Sequence, residues 1–299
     1  MVHTVEATGT EHTPWIWLPL SGGGVAVLAR GRIGTLWRTQ LLVAVAAAAV
    51  AGFCVWTSWF PVIAKSFAGW PDVVKVERGE LNWSKPEAKN LAENGFLSLS
   101  VEVDSPLVFG QTADLQITAR RFAVILEGLF GSIQIPYPAS LRFETGRVVG
   151  TAWWGAYSWV VLLGTLIAII VWLIAIWWVV STAYAPIAVI WLVLLRRRPT
   201  LGLAWRLAAA GLLFGSLWMS VCLFLYATHV IQMPGLIAGF GLHLLVGWIW
   251  MLWGAACIPI DSRATKNPFD PKKIEVTPAS KSGRGASDPR GSSSNPFQK

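Results

Sequence analysis

The chain has 299 residues, of which 54% are apolar and 13% charged, against the roughly 25% charge of a soluble globular domain. Three cysteines are too few for a disulfide-stapled module, and the apolar runs are too long for a soluble enzyme or a disordered chain. The formal net charge of +8 divides by segment and reads as membrane topology rather than as a nucleic-acid surface.

Residues 1–40 carry Arg30, Arg32 and Arg38 against Glu6 and Glu11, a basic flank that marks a cytoplasmic or interfacial amino-terminal segment. Trp15 to Leu28 is apolar, but Pro19 and Gly22-Gly23-Gly24 break it. An interfacial stretch with a glycine hinge is expected there. Leu41 to Ala64 is uncharged over 24 residues and predicts the first transmembrane span. The small-residue site Ala49-Val50-Ala51 resembles a signal-cleavage site, but 39 residues precede the run, too many for an ordinary signal n-region. Phe53 before Cys54 excludes a lipoprotein box.

Residues 65–150 hold nine basic and ten acidic side chains, nearly neutral as an extracytoplasmic block should be. Apolar residues alternate there: Val74 and Val76; Leu97, Leu99, Val101 and Val103; Leu115 and Ile117; Ile133 and Ile135; Leu141 and Phe143. A period of two predicts half-buried strands and a small all-β domain of about five to seven strands. Arg78-Gly79 divides Val73–Glu77 from Glu80–Trp83, which predicts a tight hairpin. Pro86 to Asn94 is expected as a short helix or loop. Glu102 and Asp104 share one strand face and could hold a cation or do acid-base work; a solvated outer face, with Val101 and Val103 turned to the core, explains them as well. Trp70 and Trp83 could form a carbohydrate or lipid platform.

Thr151 to Leu195 is uncharged over 45 residues. A straight helix of that length would be about 67 Å long, about twice the bilayer. A span over about 153–180 followed by a bent or re-entrant piece at 181–195, turning near Pro186, is the expectation; the alternative is two tight spans meeting between Ser181 and Pro186. Residues 196–206 hold four arginines and no acid, so Arg196, Arg197, Arg198 and Arg206 are read as cytoplasmic topology determinants that could also hold anionic lipid headgroups. Leu207 to Ile260 divides at Gln232-Met233-Pro234-Gly235 into spans over about 205–228 and 235–258. The fold expected is an α-helical transmembrane bundle of about four spans with an extracytoplasmic β domain.

Within the spans, His243 is the candidate intramembrane polar site. Gly239 and Gly247 flank it at helical spacing, so it could equally serve a close helix contact. His229 falls near the turn between the last two spans. Two separated histidines do not make a metal site, and spans without Asp, Glu or Lys argue against ion-coupled transport. Interface anchoring explains most of the 19 tryptophans. The segment 261–299, rich in Ser, Gly, Pro and Lys, is expected to be a disordered cytoplasmic tail. It repeats Asn-Pro-Phe at Asn267-Pro268-Phe269 and Asn295-Pro296-Phe297, a candidate docking motif that chance and turn formation explain equally.

The order of one amino-terminal span, a Val-Lys-Val-Glu-Arg-Gly-Glu-Leu hairpin (Val74 to Leu81), a long span and the basic stretch Arg196 to Ala208 resembles an uncharacterised family of bacterial polytopic membrane proteins. Some of its members are labelled maltodextrin-utilisation proteins. The resemblance covers roughly residues 40–258 and implies architecture, not a reaction. It departs at Asp104-Ser105-Pro106-Leu107, where such proteins carry an Asp-Thr-Thr-Gly-like turn. No catalytic constellation, cofactor motif or nucleic-acid surface is present in the sequence. The expected function is that of a non-enzymatic inner-membrane protein with both termini cytoplasmic, acting as scaffold, sensor or accessory subunit of an envelope complex with the lipid bilayer and a membrane or envelope protein as partners. The alternative is a component of a small-molecule or lipid transporter, with Pro186 and Pro234 breaking helices around a pathway.

Overall fold

A computed structural model describes residues 20–84, 89–103 and 113–260. The candidate docking motifs Asn267-Pro268-Phe269 and Asn295-Pro296-Phe297, and Asp104, lie outside the described residues. Helices α1 (Gly22–Arg30) and α2 (Ile33–Cys54) lead through a π-helical turn (Val55–Trp59) into α3 (Phe60–Ala68). Eight described strands follow: β1 (Val74–Glu77), β2 (Glu80–Trp83), β3 (Lys89–Glu93), β4 (Leu97–Glu102), β5 (Leu115–Arg120), β6 (Ala123–Gly128), β7 (Gly131–Pro136) and β8 (Phe143–Thr145). Helices α4 (Arg147–Leu194), α5 (Leu201–Ala227) and α6 (Met233–Ala256) complete the order. Among the described residues, four helical stretches are long and apolar enough to cross a membrane: Ile33–Ala68, Arg147–Leu194, Leu201–Ala227 and Met233–Ala256.

The glycine triplet is not a hinge. Ser21 caps α1, its Oγ accepting from the Gly24 amide at 3.2 Å, and the glycines form the first helical turn. Gly22 is needed because a Cβ there would meet the Trp253 ring at 2.5 Å. Val25, Leu28 and Ala29 are buried against the ends of α5 and α6, so α1 closes one end of the bundle. Arg206 donates from Nη1 to the Gly31 carbonyl at 2.9 Å, and Arg197 from Nη2 to the Ala256 carbonyl at 2.9 Å. Both guanidinia therefore satisfy carbonyls at helix C-termini, where cations are favoured.

Neither the re-entrant piece nor the paired spans expected around 181–195 forms, because α4 is one helix of 48 residues that passes through Pro186. A proline removes a single helical hydrogen bond, and its neighbours Ser181, Ala185, Ala188 and Leu192 are buried within the bundle, which holds the helix on course. Pro234 likewise breaks nothing: it stands in the first turn of α6, where its missing N–H is no loss. The surplus length of α4 lies at its other end. Cys54 at the end of α2 clusters with Tyr226 and Ala227 at the end of α5, and Gly52 faces Leu166 of α4. From that level α3 and residues 147–165 of α4 continue side by side past the α5–α6 turn, α4 by about 28 Å. The π-helical turn falls at the same level. Pro61 has no N–H for the Thr57 carbonyl, and the Phe60 amide bonds the Val55 carbonyl five residues back.

The strands form two sheets, β2-β1-β8 and β3-β4-β5-β6-β7, antiparallel throughout except for the parallel pair β4–β5. The β1–β2 hairpin forms at the expected place, with Arg78 (φ 54°) and Gly79 (φ 80°) both left-handed, the geometry of a type I′ turn. In place of the short helix or loop expected around Pro86 to Asn94, Lys89–Glu93 forms strand β3, paired with β4 across a bulge. Strand β6 has no period-two signature, because Ala-Val-Ile-Leu is continuously apolar. Leu141 precedes β8 instead of joining a strand. The half-buried reading also fails on β7, where every residue is exposed, Ile133 at 65% and Ile135 at 49%.

Two sets of contacts orient the domain. Phe96 packs its ring on Tyr226 (4.8 Å between centroids) and His229 (4.5 Å), and Asn94 donates from Nδ2 to the Ser58 carbonyl at 2.6 Å. The start of β4, and Leu115 beside it, thus adjoin the bundle. At the opposite end, the Leu81 amide bonds the Arg121 carbonyl at 2.7 Å and the Tyr137 amide the Phe122 carbonyl at 3.1 Å, which gathers the β1–β2 and β5–β6 turns far from the helices.

Candidate functional site

Register across the larger sheet aligns two apolar rows over four strands. One is Leu99–Ile117–Leu126–Ile133 and the other Val101–Ala119–Val124–Ile135. Alternation puts both rows on one face, and the smaller sheet covers that face only at the β4–β5 end. Between the sheets lies a cavity of about 330 Å³. Its lining includes Trp70, Trp83, Val76, Leu81, Ile117, Ala119 and Tyr137, and it is apolar on nearly every side. That volume falls at the lower end of the range of ligand pockets, roughly 300–1,000 Å³. Burial pushes the Tyr137 phenol up to about 12, the direction expected of a hydroxyl held in an apolar wall. The Trp70 indole N–H is buried without an acceptor.

The cavity joins the helices through a continuous series of ring contacts. Trp159 stacks on Trp56 (4.6 Å), Trp56 meets Phe60 (5.5 Å), and Phe60 meets Trp154 edge-on (4.8 Å). Trp154 then touches Phe67 (6.2 Å), Phe67 touches Trp70 (4.9 Å), and Trp70 meets Trp83 edge-on (6.2 Å). All but Trp83 stand on the paired lengths of α3 and α4 or the turns beside them, and two apolar grooves flank α4, one of about 360 Å³ against α2 and the π-helical turn and one of about 270 Å³ against α3. The geometry suits a flexible apolar chain, which needs surface but few polar contacts.

The ionisable residues singled out from the sequence do not converge. His243 hydrogen-bonds through Nδ1 to the Phe240 carbonyl of its own helix and rests on the Phe240 ring. The neighbouring glycines serve helix packing: a Cβ at Gly239 would meet Cys222 Sγ at 2.7 Å, and one at Gly215 the His243 carbonyl at 2.7 Å. Glu102 is not a solvated carboxylate, because Arg120 pairs with it at 2.8 Å across the parallel register, and its side chain is only 11% exposed. No cluster of metal-ligating side chains occurs among the described residues. Arg196 is left-handed (φ 54°) in the turn after α4, and the arginines reach different helix ends instead of one pocket.

Of the two expected platform residues, Trp70 and Trp83 do meet, but as a cavity wall and not as an open platform. The rest of the lining went unrecognised because Ala119, Val124 and Tyr137 carry no chemistry that marks them in one dimension; only the strand register brings them together. Buried polar groups in the bundle were also missed. Gln40 and Ser181 are almost fully buried, and Trp177 donates to Ser216 Oγ at 2.9 Å. Comparison with protein-family models, curated proteins and solved structures returned no match.

Proposed function

We propose that this chain is a non-enzymatic membrane protein that handles lipid, holding one apolar chain in the cavity of its β domain as an accessory component of an envelope complex. The observation that carries this reading is the apolar cavity itself, joined to the transmembrane helices by the aromatic series from Trp159 to Trp83. A lipid tail drawn from the bilayer along α3 and α4 would stay on apolar surface throughout, and the free Trp70 N–H offers one donor to an ester or headgroup oxygen. The gathering of Arg30, Arg197 and Arg206 at the bundle end opposite the β domain supports an inner-membrane topology with both termini cytoplasmic and the β domain outside. A second reading, a docking module for a partner protein, is favoured by β7, an edge strand with no strand described beyond it and a template for strand addition.

The test uses the full chain in bilayer nanodiscs containing a phospholipid with a diazirine at the end of one acyl chain. Crosslinks to Ile117, Ala119 or Tyr137 are expected on irradiation. Crosslinks confined to α2, α4, α5 and α6 would overturn the reading.

A further inference from the structure

The two-residue turn between β6 and β7 is Leu129-Phe130, closed by the Gly128–Gly131 pair. Hairpin tips ordinarily carry Gly, Asn, Asp, Pro or Ser, residues that suit water and tight dihedrals. Here Phe130 is 91% exposed and Leu129 54%. The apolar rows of the larger sheet emerge just behind this tip at Ile133 and Ile135. Large apolar side chains grouped on one surface mark a contact site rather than ordinary exposure.

Register places this surface. Leu97, Leu115, Gly128 and Gly131 are successive neighbours across the sheet. Leu97 and Leu115 stand at the end that adjoins the bundle, where the Tyr226 hydroxyl donates to Asp114 Oδ2 at 2.6 Å and Phe96 packs on Tyr226 and His229. At about 4.8 Å per strand, Gly131 lies about 14 Å to the side of Leu97, at the same end of the sheet. The tip therefore points the way the β domain meets the α5–α6 turn, where those two apolar helices end.

We propose that the Leu129–Phe130 tip, with Ile133 and Ile135 behind it, is a membrane-contact surface that dips into the phospholipid leaflet around the α5–α6 turn. The β domain then has two supports, the α3–α4 pair on one side and the bilayer on the other. The bare ends of the apolar rows would lie against lipid and open laterally toward the cavity. Contact of the tip with the leaflet does not depend on the cavity being occupied, so it can fail while the ligand reading stands, and the reverse.

The test places an environment-sensitive NBD label at Phe130→Cys in the full chain, in a Cys257→Ser background because Cys54 and Cys222 are buried. The protein is held in nanodiscs of phosphatidylcholine and phosphatidylglycerol, with Glu77→Cys near the far turn as the aqueous reference and Ser132→Cys as a second reporter should Phe130→Cys not fold. Blue-shifted emission at position 130 or 132, several-fold more quenching by shallow doxyl lipids than at position 77, and protection from iodide are expected. Emission and iodide quenching equal to those at position 77 would overturn the proposal. So would protection from both quenchers, which would mean that protein covers the tip.

Discussion

The Tyr226 hydroxyl, one residue before the end of α5, donates a 2.6 Å hydrogen bond to Asp114 Oδ2, just ahead of β5. It joins residues 112 positions apart and fixes which end of the larger sheet faces the bundle. Bonds to a carboxylate are worth about 1.5–3 kcal/mol. Tyr226→Phe should therefore lower the free energy of local opening by about that amount, read as faster amide exchange over residues 113–118 with the helices unaffected. Unchanged exchange there would show that the ring contacts of Phe96 suffice.

The β domain is closed where it leaves and re-enters the helices. Arg147 donates from Nη2 to Asp72 Oδ1 at 3.0 Å and its amide bonds the Pro71 carbonyl at 3.0 Å. Gly146 lies so close to this crossing that a Cβ would stand 1.8 Å from the Asp72 carbonyl oxygen. Gly146→Ala should destabilise the domain by about 3 kcal/mol, seen as protease cleavage between β8 and α4. The charge pair alone is exposed, and Arg147→Gln should cost under about 1 kcal/mol.

The hairpin at Arg78-Gly79 can be improved. A type I′ turn favours asparagine at its first position, and a non-glycine residue at positive φ costs about 1–2 kcal/mol. Arg78→Asn should raise stability by about 0.5–1 kcal/mol, and Gly79→Ala, whose Cβ would meet the Tyr137 carbonyl at 3.1 Å, should lower it. Thermal melts of the two variants should move in opposite directions.

Tyr137 supplies a pH test of the cavity. Burial raises its phenol from 10 to about 12, so the folded domain favours the neutral form. The stability that follows is fully present below pH 10 and is lost as pH rises through about 12. Absorbance titration of wild type against Tyr137→Phe should show a difference step near pH 12; a step near pH 10 would mean that water reaches the phenol freely.

The features legible in the sequence are patterns that a single segment contains. The apolar runs, the hairpin at Arg78-Gly79 and the alternation of β4 and β5 are local, and the structure has them. The course of α4 was not local. Whether Pro186 turns the chain depends on the packing of Ser181, Ala185 and Leu192 against other helices, and the surplus length of α4 is visible only once Gly52 is set beside Leu166. The cavity was least legible, since its wall on the larger sheet is assembled by register across β4, β5 and β6 and most of the rest of it comes from α3 and the smaller sheet. Trp70 and Trp83 signalled it through their unusual placement, while His243 and Glu102 drew attention through chemistry that packing and pairing absorb.

The proposed lipid function requires the β-domain cavity to hold a lipid chain. Ala119 lies in the middle of its wall, and Ala119→Phe would fill the space while keeping an apolar side chain on the strand. Native mass spectrometry of the full chain released from nanodiscs should find one tightly retained lipid per wild-type molecule and none on Ala119→Phe, with both proteins equally folded by circular dichroism. Equal lipid retention by the two proteins would contradict lipid binding in the cavity.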